Sequence, residues 1–185
     1  MRRRMIRRAG RTMRGIGVGA IPPLLLRSNQ LLLAGEYVGA AEGLEQLARA
    51  VEGRRSRRAA HLYLEAGRAR ILGGDVDAGV ILLDRGLRLL AASGATIQLA
   101  RASRRVVQEL SARGLHDKAD QIRRSLADVG VSASDIAAMP VPETSRPILP
   151  VHCPGCGAPV HPDELEWLDE VTAECEYCGT PMRPE

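Results

Sequence analysis

The sequence predicts a mainly α protein, with three αα-hairpin repeats forming an open solenoid or a compact helical bundle, followed by a small β unit built round a metal ion. Three observations carry this reading. Apolar residues recur at helical spacing from about Leu24 to Val129, in a pattern that repeats when the chain is shifted by 39 residues. Aromatic residues make up only 2% of the chain, with no Phe, so a core of Leu, Ala, Val and Ile is implied, a composition that favours helices. All four cysteines lie beyond residue 150, in two C-x-x-C-G pairs. A chain of 185 residues accommodates one medium domain and one small one. The divisions fall at 1–22 (a basic arm), 23–130 (helical repeats), 131–150 (a proline-rich linker) and 151–185 (the cysteine unit).

The arm carries Arg2, Arg3, Arg4, Arg7, Arg8, Arg11 and Arg14, then a glycine-spaced run and Pro22-Pro23. It has no sustained apolar period, which predicts disorder. Charge is distributed unevenly behind a net +4: residues 1–35 carry +8, residues 36–150 carry +3 and residues 151–185 carry −7. Opposite charges at the two ends suit self-association, either within one chain or head to tail between two. The longest uncharged run near the start, Gly15 to Leu26, is 12 residues with two prolines. About 20 apolar residues are needed to span a bilayer, so the expectation is a cytoplasmic protein with no membrane span.

In the repeat region Tyr37, Ala41, Leu44, Ala48 and Val51 align with Val76, Val80, Leu83, Leu87 and Leu90, and with Leu115, Ala119, Ile122, Leu126 and Val129. The 4-3-4-3 spacing places each set on one face of a four-turn helix. Each set follows a turn, at Ala34-Gly35-Glu36, Gly73-Gly74-Asp75 and Arg113-Gly114-Leu115, and a preceding helix is predicted over 24–33, 56–72 and 96–112. Ala59, Leu62, Ala66 and Ala69 supply the inner stripe of the second of these; Ile97, Ala100, Val107 and Leu110 that of the third. The turn, small residue and apolar helix in Gly35-Glu36-Tyr37-Val38-Gly39-Ala40 and Gly74-Asp75-Val76-Asp77-Ala78-Gly79 resemble tetratricopeptide-like repeats, although the period exceeds that family's 34 and its Trp and closing Pro are missing. Arg54, Arg55, Arg57 and Arg58 form a cationic cluster between the first two hairpins. The linker has Pro140, Pro142, Pro147 and Pro150, with one helical turn predicted over 135–139 behind Ser134.

Cys153-Pro154-Gly155-Cys156-Gly157 and Cys175-Glu176-Tyr177-Cys178-Gly179 each set two thiolates on one tight turn, and the trailing Gly permits a left-handed backbone that aims amides at the sulfurs. Two such turns facing each other make a tetrahedral four-sulfur site, with Cys153, Cys156, Cys175 and Cys178 as metal ligands. Zn²⁺ suits this donor set, iron uses the same four thiolates, and disulfides would require an oxidising compartment. These two segments, with Ala158-Pro159-Val160 and Thr180-Pro181-Met182 after them, resemble the zinc-ribbon family. That resemblance implies two knuckles joined by a small antiparallel sheet, with zinc as a structural cofactor. It covers about a fifth of the chain and implies no activity. His152 and His161 are read as neighbours of the site, and Trp167 as packing beside it, with a partner-facing anchor as the alternative, on a half-exposed strand or turn edge alternating Glu164 and Glu166 with Leu165 and Trp167.

No phosphate-cradling glycine loop, no Ser/His/acid grouping and no open metal position appear, so the chain is not read as an enzyme; His61 and His116 are expected to be surface or turn residues. The function expected is that of a zinc-binding interaction adaptor: the repeats bind a protein partner and the ribbon offers a second contact surface. The alternative is a nucleic-acid-associated protein that grips phosphates without base specificity, through Arg2, Arg3, Arg4, Arg7 and Arg8 with Arg54, Arg55, Arg57 and Arg58. The acidic cysteine unit disfavours that use, since it repels phosphates.

Overall fold

The computed structural model describes residues 22–54, 56–131, 147–162 and 165–184. Six helices come first: α1 (Pro23–Leu33), α2 (Tyr37–Val51), α3 (Ser56–Leu72), α4 (Val76–Ala92), α5 (Thr96–Ala112) and α6 (His116–Asp128). A three-stranded antiparallel sheet in the order β1-β2-β3 follows: β1 (Glu166–Trp167), β2 (Ala173–Glu174) and β3 (Pro181–Met182). Trp167 pairs with Ala173, and Ala173 with Met182. The helical turn expected over 135–139, the arm and most of the linker lie outside the described residues.

The helix pairs α1–α2, α3–α4 and α5–α6 join through the predicted turns. Each turn glycine has positive φ, 76° at Gly35, 91° at Gly74 and 77° at Gly114, and closes the same double bond. The glycine N–H donates three residues back, and the next N–H donates five back, as in Glu36 to Leu31, Asp75 to Arg70 and Leu115 to Leu110. An L side chain is strained in that conformation, which explains why all three turns carry Gly. Asp75 also caps α4, its side chain accepting from the Ala78 N–H at 3.2 Å.

The stripes of the three second helices are placed as the period predicts. Ala41, Leu44, Ala48, Val80, Leu83, Leu87, Leu90, Ala119, Ile122 and Leu126 are all buried, while Val129 at the end of the pattern is exposed. The stripe of α3 is buried as expected. That of α5 is only partly right: Ile97 is exposed, and Leu99, Ala102, Ser103 and Val106 are buried with Ala100 and Leu110. Ile97 lies in the first turn of α5, and the buried stripe begins two residues later at Leu99, with Val107 half-buried.

Helices α3 and α4 approach unusually closely. A Cβ on Gly67 would lie 2.8 Å from the Gly79 carbonyl oxygen, and one on Gly86 would lie 2.8 Å from that of Ala60. The glycines therefore let two backbones touch. Two apolar clusters result. One joins α3, α4, α5 and α6 through Leu64, Leu83, Leu87, Val106 and Ile122. The other is shared between the helices and the C-terminal unit: Leu25, Leu44, Leu62 and Tyr63 pack with Leu149, Leu165, Tyr177, Met182 and all four cysteines. The cysteine unit is thus seated on α1–α3. Helix α3 is covered on every side over 59–67, and its charged residues in that stretch are buried as well.

Candidate metal centre

The two C-x-x-C-G turns fold alike. In the first, the Cys153 N–H donates to the Ala158 carbonyl at 2.8 Å and the Gly157 N–H donates to the Cys153 carbonyl at 2.8 Å; in the second, Cys175 donates to Thr180 at 3.0 Å and Gly179 to Cys175 at 2.8 Å. Gly157 and Gly179 have φ of 73° and 81°. The trailing glycine amide closes the turn on a carbonyl, while other amides of the first turn aim at the sulfurs, as expected. The Gly155 amide lies 3.4 Å from Cys153 Sγ, and the backbone amides of Cys156 and Ala158 also bond the sulfurs of Cys153 and Cys156. Thr180 Oγ1 lies 3.1 Å from Cys178 Sγ and can donate to a thiolate there.

These turns bring the four sulfurs within 4.8 Å of one another, all buried. Cys153 and Cys178 are 3.7 Å apart and Cys156 and Cys175 3.8 Å. A metal bonded at about 2.3 Å to four tetrahedral thiolates separates them by about 3.8 Å, whereas a disulfide needs about 2.05 Å. The donor set thus fits a metal ion and not two disulfides. The thiols also compete for charge. Hydrogen bonding from Cys156 and Cys175 draws Cys153 down to about 6. Cys178 is lowered too, chiefly by Cys153, while Cys156 and Cys175 are pushed up by the neighbours that ionise first. Four thiolates side by side need a cation between them.

Trp167 is half-buried and packs against the cluster that contains the cysteines, as expected. His152 is exposed and bridges Pro159 across the turn. His161 is half-buried and turned to the helices: Arg105 Nη1 is 2.8 Å from its Nδ1, and its Nε2 is 3.9 Å from Glu65. Neither imidazole belongs to the sulfur cluster.

The seating of this unit on the helices uses polar as well as apolar contacts. Asn29 Nδ2, buried on α1, donates to the Cys156 carbonyl at 2.7 Å, and its Cβ lies 3.7 Å from where a Gly157 Cβ would stand. His61 is not a surface residue as expected; it is buried on α3, with Nδ1 2.9 Å from Glu176 between the second pair of cysteines. His116 is exposed at the start of α6. Glu65 takes the Tyr177 hydroxyl at 3.4 Å and Arg68 at 3.2 Å, and Arg68 Nε continues to Glu109 on α5 at 3.0 Å. Burial alone would raise the Glu65 carboxyl, but the adjacent His161 imidazole and Arg68 guanidinium outweigh it and hold its pKa below the usual carboxylate value.

The arginine cluster faces the same junction. Arg54 is exposed in the α2–α3 loop, and Arg57 pairs with Glu166 at 3.4 Å. Arg58 Nη2 comes within 3.0 Å of where a Gly179 Cβ would stand. Arg55 and the arm residues Arg2, Arg3, Arg4, Arg7 and Arg8 lie outside the described residues. Sequence reasoning missed Asn29, Glu65 and Arg68. The available signal was that α3 carries apolar residues all round, at Ala59, Ala60, Leu62, Tyr63, Leu64 and Ala66, which marks a helix covered on more than one side.

Neither the sequence nor the fold matches a family model, a curated protein or a solved structure. Among the described residues no helix is long and apolar enough to cross a membrane.

Proposed function

We infer that this chain is a non-enzymatic zinc protein that works as an interaction adaptor, its tetratricopeptide-like hairpins and its zinc ribbon presenting one composite surface to a protein partner. Zinc is the reading that best fits four buried sulfurs at tetrahedral spacing, and a site closed by four protein ligands has a structural role. The observation that carries the adaptor reading is the shared core. Leu25, Leu44 and Tyr63 from the helices and Leu149, Leu165 and Met182 from the C-terminal unit are buried together, so the two surfaces have a fixed relation. Each also leaves apolar side chains outside: Leu33, Val38 and Leu72 at the hairpin turns, and Leu168 and Val171 after β1.

The nucleic-acid alternative has less support at this junction, because Arg57 is spent on Glu166 and the neighbouring wall is acidic. The test is affinity capture from extracts of the source cells with zinc-loaded wild type, with Leu33→Glu plus Leu72→Glu, and with Leu168→Glu. A stoichiometric protein partner, retained by wild type and lost from both variants, is expected. Retention of nucleic acid instead, or of a partner indifferent to both variants, would overturn the reading. Elemental analysis should give one zinc per chain, and iron in its place would refute that assignment.

A further inference from the structure

Where the C-terminal unit meets α3, it leaves a cleft of about 500 Å³, within the range of small-ligand sites. Its walls have opposite charge. Arg54, Arg57, Arg58 and His61 line one side; Glu166, Glu174 and Glu176 line the other, with Gln98 of α5 at the margin. Two facing pairs are already matched, Arg57 with Glu166 at 3.4 Å and His61 with Glu176 at 2.9 Å. Arg54, Arg58 and Glu174 have no ion-pair partner among the described residues. Arg58 Nη2 and Glu174 Oε1 approach the same point beside Gly179, at 3.0 Å and 3.1 Å, without bridging each other.

We propose that this cleft binds a small phosphomonoester carrying hydroxyl groups, the sugar-phosphate class. Two guanidinium groups suit a group whose charge is about −1.5 to −2, and their planar forks match phosphate oxygens. Across from them, Glu174 accepts hydroxyl donors, and the Gln98 amide both donates and accepts. The opposed walls exclude a nucleic-acid strand: a polyanion held by the arginines would press its next phosphates on Glu166 and Glu174. No Tyr, Trp or Phe is among the residues that line the cleft, so a nucleobase finds no aromatic stacking platform of the usual kind. The proposal is independent of the adaptor reading, since the exposed apolar residues used there do not line the cleft and the ligand is of a different class.

The test is calorimetric titration of the zinc-loaded full chain with glucose 6-phosphate, glucose, inorganic phosphate and a short DNA duplex at physiological salt. Glucose 6-phosphate should bind at least about tenfold more tightly than inorganic phosphate or glucose, the worth of one or two added hydrogen bonds. Arg54→Gln and Arg58→Gln should each weaken both phosphate ligands by about tenfold, as expected for loss of a charged hydrogen bond. Glu174→Gln should weaken glucose 6-phosphate and leave inorganic phosphate unchanged or tighter. Zinc content and melting temperature of each variant serve as controls for folding; Arg54 is an exposed loop residue, so its replacement leaves the fold intact. Absence of binding overturns the proposal. So does equal affinity for inorganic phosphate, tighter binding of duplex, or binding indifferent to both arginine variants.

Discussion

The helical layer and the C-terminal unit reach stability by different routes. Helices α3 to α6 enclose a cluster in which Leu64, Leu83, Leu87, Val106 and Ile122 are nearly inaccessible, with no described residue of the C-terminal unit in it. The C-terminal unit has strands of two residues each, and its own interior is the four cysteines with Ala158, Leu165, Ala173, Tyr177 and Met182. It gains the rest of its core by borrowing Leu25, Leu44, Leu62 and Tyr63. Short sheets of this size do not stand alone in water, and a structural metal is the usual remedy. The expected consequence is asymmetric dependence: the core of α3–α6 should keep its packing without the metal, whereas the near face of α1–α3 should depend on it.

Metal removal is the strongest way to break that comparison. Structural zinc in small domains contributes about 10–16 kcal/mol of apparent binding free energy, more than a 35-residue unit can replace. Cys175→Ser, or chelation of wild type, should unfold residues 151–184 and uncover α3. Hydrogen exchange checks this directly. Amides over 59–67 should lose protection, while those of α4 and α6 facing Leu87 and Ile122 should change little. Equal loss throughout would show a single cooperative unit, and no loss in α3 would show that the docking does not need the metal.

A smaller effect is expected at the polar contact between the two regions. Glu65 is buried with Arg68 and within reach of Tyr177 and His161, so Glu65→Ala removes one carboxylate from Arg68, which keeps Glu109, and takes an acceptor from the Tyr177 hydroxyl, at a cost of about 1–3 kcal/mol. The folded carboxyl has a pKa below its unfolded value of about 4.3, so the folded state holds fewer protons near that pH. Its stabilisation is full above that value and is lost as pH falls through the folded pKa. Urea midpoints between pH 7 and pH 3 should fall more steeply for wild type than for Glu65→Gln. Parallel curves would remove Glu65 from the account.

How much of this was legible in the sequence follows from the range of each interaction. The second-helix stripes are local and periodic, and three copies in register identify them without tertiary information. The metal ligands are legible because chelation needs fixed short spacing between each pair. The α5 stripe, with Ile97 in place of Leu99, was misplaced because helix ends leave the pattern ambiguous by a residue or two. His61 and Glu65 look like surface residues in sequence, since their partners Glu176, Tyr177 and His161 are about a hundred positions away. No local pattern encodes that docking; it depends on the shape of α3 meeting the shape of a metal-held turn.

The smallest effect isolates the helical layer. In Gly67→Ala the new methyl would meet the Gly79 carbonyl oxygen and Leu83 Cγ, each at 2.8 Å, so α3 and α4 must separate. Alanine gains about 1 kcal/mol of helix propensity over glycine, but overpacking two backbones costs about 1–3 kcal/mol. The net expectation is a loss of about 1–2 kcal/mol, with metal content unchanged because the atoms that the new methyl meets all belong to α4 and none to the C-terminal unit. Gly53 provides the control: it sits in the α2–α3 turn, where a Cβ meets nothing within 4 Å, and its replacement by Ala should be neutral or stabilise by up to about 1 kcal/mol. Thermal melts of the two variants, each with its zinc measured, decide the matter. If Gly67→Ala is as stable as Gly53→Ala, the α3–α4 contact has slack, and the glycines there are not the condition for its closeness.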